Sequence, residues 1–476
     1  MAVKTFKRGL KLDTRKFATE GKPIENVPSP KQVVIPINQH FGAPNKVLVS
    51  AGDTVKRGQR IAEGMASGPM TVPVHASING IVKKIEPRPQ ANNSEGLCVI
   101  IEAAEGDGEM FMPPLDPFNC TKEEALQRIR DAGIIGMGGA GFPAHVKLSV
   151  PPGKNIDIVI ADGAECEPYL TTDEAVMVEK PGLLVKGLAI VMKIVGVSKA
   201  IIGMEDNKTA LIPIIEREIR QGNYPGEIKV GLCKTLYPQG GEKMLITALT
   251  GRQVPSGGLP MDSGCVVSNV GTMVAIAEAF TLGKPQIDRD LTVSGGACKN
   301  PKNIRVPIGT IPSDLPVEFL DIDHQQLRKV IYGGPMMGTS VPAPDRPIQK
   351  NTSGIILMTN KELIAEEEGP CIRCGRCIKN CAMLLSPVVM NNALDSADLD
   401  EAVQTGLLDC IECGSCAYVC PAKIKLTQRF RVGKQRLRNY QQLTKEAQEK
   451  AKKAAEARAA LFQQQAATTD ERRENP

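Results

Sequence analysis

The chain has 476 residues, which suits about three domains, and its 42% apolar content is ordinary for a globular protein. Aromatics are only 3%, Trp is absent, and the +5 net charge is concentrated at one end, with twelve Lys/Arg against six Asp/Glu from Thr427 to Pro476. A base-stacking nucleic-acid binder would carry more aromatics and a basic face elsewhere, so no nucleic-acid partner is expected. The basic N-terminus MAVKTFKRGLKLDTRK lacks the apolar core of a signal peptide. No stretch reaches the roughly 18 apolar residues of a membrane span; the longest, Leu183 to Val197, is broken by Lys186 and Lys193. The expectation is a soluble or peripheral protein inside the cell, where 14 cysteines serve metal or redox chemistry rather than disulfides.

Residues 1–30 are polar and Pro-containing and read as an extended lead-in. Residues 31–111 read as short strands. VLVSAGDTVKRGQRIAEG has a strand, an Ala-Gly-Asp turn and a second strand; VPVHASINGIVKKIE repeats that logic with Asn79-Gly80 as a hairpin signal. Two such half-units resemble the barrel-sandwich fold of lipoyl and biotinyl carriers. The intervening GMASGPMT has no Lys to modify, so a scaffold is expected; the alternative is an unrelated small β-domain. After the linker MPPLDP, Thr121-x-x-Glu124 forms a capping box. From 118 to 288, the strands NIDIVIA, KAIIGME and EIKVGL alternate with the helical stretches AVMVEKPGLLVKGLAIVMKIVG, NKTALIPIIEREIR and GEKMLITALTG. That alternation predicts an α/β domain with a mainly parallel sheet. Residues 289–358 return to short strands with Gly and Pro turns, a small β-rich module. Residues 361–430 hold the cysteine cluster. The end of the chain, 431–476, belongs to an Ala-, Gln-, Lys- and Glu-rich segment that predicts an exposed helix from Thr427 to about Gln465 and then a disordered end. Leu426 and Phe430 are expected to pack its first turns on the cysteine domain.

Cys371, Cys374, Cys377 and Cys381 are spaced C-x2-C-x2-C-x3-C, and Cys410, Cys413, Cys416 and Cys420 repeat the spacing before Pro421. Zinc sites use isolated C-x2-C pairs; this run is that of two-cluster bacterial ferredoxins. Three cysteines on one tight loop hold three corners of a cubane, and the x3 spacing sends the fourth to the other cluster. The expected ligands are therefore Cys371, Cys374, Cys377 and Cys420 for one [4Fe–4S] cluster, and Cys410, Cys413, Cys416 and Cys381 for the second. The first run ends Cys381-Ala382 rather than Cys-Pro, which leaves the chain direction after Cys381 less constrained. The six other cysteines are scattered singly and read as small buried hydrophobes.

Two further segments stand out. Gly136-Met137-Gly138-Gly139-Ala140-Gly141-Phe142-Pro143 can bring backbone N–H groups close to a phosphate, with Pro143 in the first turn of a following helix; a plain Gly-rich turn is the alternative. It is neither a P-loop nor a dinucleotide fingerprint, lacking the Lys-Ser/Thr of one and the preceding strand of the other. Asp162, Glu165 and Glu167 follow a predicted strand, where open α/β sheets bind ligands. Close carboxylates there suit ribose hydroxyls, or simply decorate a helix N-terminus.

Taken in order, GMGGAGFP, ADGAECEP, YPQGGEKMLITALTGRQVPSGG, VSNVGT and DCIECGSCAYVCP resemble the RnfC family, the C subunits of Rnf electron transport complexes, over about residues 30–440. The middle domain also resembles the FMN/NADH-binding subunit of respiratory complex I, and the N-terminal half is similar to the A subunit of the sodium-pumping NADH–quinone reductase. The resemblance implies a multidomain α/β and β fold: a barrel-sandwich domain, a Rossmann-like FMN/NADH domain, a ubiquitin-like β-grasp module, an α-helical two-cluster ferredoxin domain and a helical tail. It implies that Gly136, Gly138, Gly139, Lys147, Asp162, Asn269 and Thr272 surround FMN. Phe142, Glu165, Glu167, Tyr237 and Glu242 fall on the NADH side, and no side chain acts as acid or base. Three positions depart from the complex I pattern: Met137 stands where that protein has Arg, Asp162 where it has Asn, and Gly241 where it has Glu. An Asp beside a phosphate or an electron-rich flavin is unfavourable.

NADH yields two electrons as hydride and a cluster accepts one, so a flavin between them is chemically required. The expectation is an electron-input subunit, with FMN, NAD(H) and two [4Fe–4S] clusters, on the cytoplasmic face of the inner membrane. It would be held there peripherally by the other members of an ion-translocating complex, which include an iron–sulfur subunit. The alternatives are a soluble diaphorase subunit of a hydrogenase or dehydrogenase, and a non-catalytic iron–sulfur scaffold.

Overall fold

The computed structural model describes residues 2–64, 70–106, 108–363 and 367–474. It divides into two units, Met1–Glu367 and Glu368–Pro476. In the first, residues 32–103 form two antiparallel sheets. Gln32–Pro36, Glu95–Ala103, Gly80–Pro89 and Thr54–Val55 make one, in that order; Asn45–Val47, Arg60–Gly64 and Val74–His75 make the other. Alternation along the strands decides the faces. Val33, Ile35, Val99 and Ile101 enter a core with Ile61, Val74 and Val82, while Val34, Cys98 and Ile100 face the other way, toward Ile311. Residues 65–69 of GMASGPMT lie outside the described residues.

Asn79-Gly80 is not the hairpin its sequence suggests. It joins Val74–His75 to Gly80–Pro89, which belong to different sheets. The Asn79 side chain accepts from Arg57 N (2.6 Å) and donates to Gly106 O (2.9 Å). A Cβ on Gly80 would collide with Glu102 O, so close strand approach rather than turn geometry requires the glycine. The hairpin lies at 90–94, where Asn93 has φ 62°.

Four parallel strands form the next sheet, in the order Glu227–Cys233, Lys199–Glu205, Ile158–Gly163, Cys265–Asn269. Both faces are covered. Val159, Ala161, Ile202 and Val266 meet helices Pro181–Val195 and Val270–Thr281; Ile160, Cys233 and Val267 meet Leu245 and Leu249 of helix Glu242–Thr250. The long helical stretch predicted from Ala175 to Gly196 is two helices, Thr172–Glu179 and Pro181–Val195, because Pro181 cannot donate to the preceding turn. Likewise Asp206–Leu211 is a 3₁₀ turn and the α-helix is Ile212–Gly222, with Pro213 in its first turn. The Thr121 capping box forms as written: Thr121 N donates to Glu124 Oε2 (2.8 Å) and Glu124 N to Thr121 Oγ1 (3.2 Å).

The β-rich module is a six-stranded mixed sheet: Ile24–Asn26, Lys302–Pro307, Asp288–Ser294, Gly354–Met358, Lys329–Tyr332, Thr339–Val341. Its first strand comes from the lead-in. Residues 4–26 are packed rather than merely extended: Lys4 bridges to Cys233, Leu10 to Tyr237, and Phe6, Leu10 and Lys16 are buried.

In the second unit the two cysteine runs repeat one backbone path. Arg373 and Glu412 have φ 55° and 56°, Gly375 and Gly414 φ 71° and 82°, and short helices Arg376–Lys379 and Ser415–Tyr418 follow. The missing Pro after Cys381 changes nothing in this path. Leu384 N donates to Cys381 O (3.0 Å) as Lys423 N does to Cys420 O (3.2 Å). Met390, Leu394, Leu407, Ile424, Leu426 and Phe430 form the core. The final helix runs Leu426–Glu474, past Gln465, where the sequence had predicted a disordered end; Ala, Gln, Glu and Arg favour its continuation. Leu426 and Phe430 are buried as expected, Leu437 joins them, and Tyr440 and Leu443 are exposed.

Candidate functional site

The Gly-rich loop lies beside the C-terminal end of strand Cys265–Asn269. Gly136 N donates to Phe142 O (2.9 Å), and Met137 N to Thr272 Oγ1 (3.1 Å). A Cβ on Gly138 would stand 3.0 Å from Asn269 Cβ, whereas one on Gly139 would meet nothing within 4 Å. Asn269 caps helix Val270–Thr281, its Oδ1 accepting from Gly271 N (2.9 Å) while its Nδ2 donates to Asp173 Oδ2 (2.8 Å). Gly136, Gly138, Gly139, Asn269 and Thr272 are thus together, and open backbone faces a helix N-terminus, the form of a phosphate cradle. Pro143 is the N-cap of helix Ala144–Leu148, one position before its first turn.

The acidic residues divide. Asp162 is the next-to-last residue of strand Ile158–Gly163 and accepts from Ala164 N (3.0 Å); burial, reinforced by Asp173, Glu242 and Glu205, raises it well above the usual carboxylate value. Burial disfavours the charged form of this carboxyl, which weakens the objection to an Asp here. Glu165 points inward, 5% exposed, accepting from Asp173 N (2.8 Å) and lying 3.6 Å from Lys16 Nζ. Glu167 accepts from Met336 N (3.0 Å) and Met337 N (2.8 Å); burial pushes it up to about 7, against those hydrogen bonds, Lys16 and the Tyr237 hydroxyl. Lys147 pairs with Glu242 at 3.3 Å.

Four contributors carry no local sequence signal because they arrive from other segments. Lys16 comes from the lead-in. Phe41, 59% exposed, stacks on Phe142 with ring centroids 6.2 Å apart, and its N–H donates to Gly141 O (3.0 Å). Asn351 Nδ2 donates to Gly139 O (3.4 Å). Lys350, fully enclosed, donates to Gly133 O (2.6 Å) and Pro73 O (3.2 Å), and burial lowers it to about 7.

In the second unit, Cys381, Cys410, Cys413 and Cys416 line one cavity with Met383, Leu385 and Phe430. Cys377 has Cys374 and Cys420 as electrostatic neighbours. Lys434 donates to Cys410 O (2.6 Å) and pairs with Glu412 at 2.9 Å. Among the described residues no three His, Cys, Asp or Glu groups converge on a single-ion site.

Family models match three stretches: a Nuo51 FMN-binding domain at 129–278, an RnfC barrel-sandwich hybrid domain at 4–106 and a 4Fe-4S dicluster domain at 363–421. The chain is 44% identical to the C subunit of the proton-translocating ferredoxin:NAD(+) oxidoreductase complex of Clostridium ljungdahlii, over 90% of this chain and 93% of the relative. It is 42% identical to the Na(+)-translocating counterpart of Acetobacterium woodii, over 91% and 97%. The chain belongs to the RnfC family, the C subunits of ion-translocating ferredoxin:NAD⁺ oxidoreductase (Rnf) complexes. Another member, from Rhodobacter capsulatus, is 36% identical over 91% of this chain and 83% of its own length. This RnfC chain therefore combines a flavin-binding and a dicluster domain in one polypeptide. Among its described residues no helix is long and apolar enough to cross a membrane.

Proposed function

We propose that this chain is the peripheral subunit through which electrons pass between NAD(H) and the iron–sulfur chain of a membrane-bound, ion-translocating complex whose other substrate is ferredoxin. The observation that carries this reading is the pairing of an FMN-binding domain with a dicluster domain, in one chain 44% identical to a named member of a ferredoxin:NAD⁺ oxidoreductase complex. When bound, FMN supplies the exchange between two-electron and one-electron transfer.

The chain's residues have the following roles in this reading. Gly136, Gly138, Gly139, Asn269 and Thr272 hold the phosphate and ribityl end. Asp162, whose burial disfavours its charged form, lies beside them and offers a hydrogen-bonding carboxyl. Lys147, paired with Glu242, keeps a positive charge at the mouth. Phe142, with Glu167, Tyr237 and Glu242, receives the nicotinamide nucleotide; Glu165 supports them from within. Cys371, Cys374, Cys377 and Cys420 ligate one [4Fe–4S] cluster, and Cys381, Cys410, Cys413 and Cys416 the other. The six-stranded sheet is read as the β-grasp module. The protein works on the cytoplasmic face of the membrane beside an iron–sulfur subunit.

The test is spectroscopic. Purified, reconstituted chain should absorb near roughly 450 nm from flavin, carry about eight iron atoms, and show bleaching of the flavin band with NADH followed by the EPR signal of reduced clusters. A chain that holds iron but neither binds FMN nor responds to NADH would be a scaffold, and the proposal would fail.

A further inference from the structure

Arg289 reaches the Gly-rich loop from outside the parallel-sheet domain. It is the second residue of strand Asp288–Ser294 in the six-stranded sheet and is 4% exposed. Its Nε donates to Thr352 O (2.6 Å), and its Nη1 lies 2.7 Å from Met137 Sδ in the Gly-rich loop. A thioether is a weak acceptor, and a guanidinium cannot shed its charge. A buried cation in this position calls for an anionic partner.

The neighbouring carboxylates Asp173, Asp290 and Glu165 stabilise its charge through space, but their oxygens take hydrogen bonds from other groups. Asp290 accepts two hydrogen bonds from Arg305, at 2.7 and 3.1 Å. Asp173 receives Asn269 Nδ2 at 2.8 Å, and Glu165 receives Asp173 N at 2.8 Å. Met137, Asp173, Gly271 and Arg289 line one cavity at the N-terminus of helix Val270–Thr281. The other cations on its wall are paired: Lys180 with Glu278 (2.8 Å), Lys284 with Asp288 (2.8 Å), and Arg305 with Asp290. The helix dipole favours negative charge at this spot, where Asp173 and Glu165 oppose it.

We propose that Arg289 is the cationic anchor of the FMN phosphate, supplied by the six-stranded sheet where the Gly-rich loop itself offers Met137. The proposal rests on the flavin reading above. It makes the flavin domain dependent on its neighbour: the parallel sheet contributes backbone N–H groups and the adjoining sheet contributes the charge.

The experiment compares FMN with riboflavin, which lacks the phosphate, by fluorescence titration of the full-length chain stripped of flavin. Wild type should bind FMN more tightly than riboflavin. Arg289→Gln should weaken FMN roughly tenfold or more, the scale of a lost charged hydrogen bond, and leave riboflavin unchanged. Met137→Arg added to Arg289→Gln should restore a preference for FMN, because it returns the charge from the loop side. If Arg289→Gln fails to fold by circular dichroism, Arg289→Lys carries the test through a smaller fall in the same FMN-to-riboflavin ratio. Equal weakening of both ligands, or an unchanged ratio, would overturn the role of Arg289 while leaving the flavin reading intact. Wild-type chain that binds neither ligand would overturn the flavin reading and this inference with it.

Discussion

The two regions that handle electrons are built in opposite ways. The cysteine unit draws its eight thiols from two short loops with the same spacing and the same positive-φ positions, at Arg373 and Gly375 in one and Glu412 and Gly414 in the other. Its chemistry is nearly one-dimensional, and ligand type and spacing are visible in the string. The site proposed for flavin and nucleotide would take its parts from segments hundreds of residues apart: Lys16, Phe41, the 136–143 loop, Asp162, Asn269, Arg289 and Lys350. A local motif can be read locally; a cradle assembled from three sheets cannot. Mutations should therefore act cleanly in the first region and diffusely in the second.

The largest expected effect is at Cys381. Cys381→Ala should remove the cluster that also needs Cys410, Cys413 and Cys416, lowering iron by about half, while the cluster of Cys371, Cys374 and Cys377 keeps its EPR signal. Loss of that other signal instead would show that the loops do not exchange their fourth ligands, and the simplicity of this region would be illusory.

Lys350 tests the opposite region. Its pKa is lowered from 10.5 to about 7 by burial alone. The unfolded chain thus binds more protons than the folded one between these values, so this contribution to stability is fully present above the unfolded pKa and is lost as pH falls through about 7. The unfolding free energy of wild type, from denaturant titrations, should rise from pH 7 to 9 relative to that of Lys350→Met by an amount on the order of a few kcal/mol. Parallel pH curves would mean that the lysine keeps its charge and that the packing around Gly133 differs from that described.

A smaller effect is expected at the aromatic pair. Phe142→Ala and Phe41→Ala should each weaken NADH by about 0.5–1.5 kcal/mol beyond the area lost and leave FMN in place. An effect of Phe142 alone would confine the nucleotide side to the parallel-sheet domain. The smallest effect is at the tail. Truncation at Asn439 removes the exposed part of the last helix, so cluster content and FMN should be unchanged and stability should shift by less than about 0.5 kcal/mol. If the basic surplus rests on anionic lipid or an acidic neighbouring protein, the truncated chain should leave membranes at lower salt; unchanged retention across a salt titration would make it a mere extension.

Much of the fold follows from the sequence because it depends on near neighbours. Period-two alternation gave the strands of residues 32–103 their faces, the Thr121–Glu124 spacing gave a cap, strand–helix alternation gave the parallel sheet, and cysteine spacing gave the dicluster domain. The breaks before Pro181 and Pro213 were passed over, because the helical pattern on either side of each proline reads as continuous. Tertiary structure alone decided the rest. It made Asn79-Gly80 a crossing between sheets, drew residues 4–26 into two of them, enclosed Asp162 so that its charged form is disfavoured, and set Arg289 against Met137 and Phe41 against Phe142. Those outcomes depend on burial and on through-space distance between segments remote in sequence, and neither quantity is written in the order of the residues.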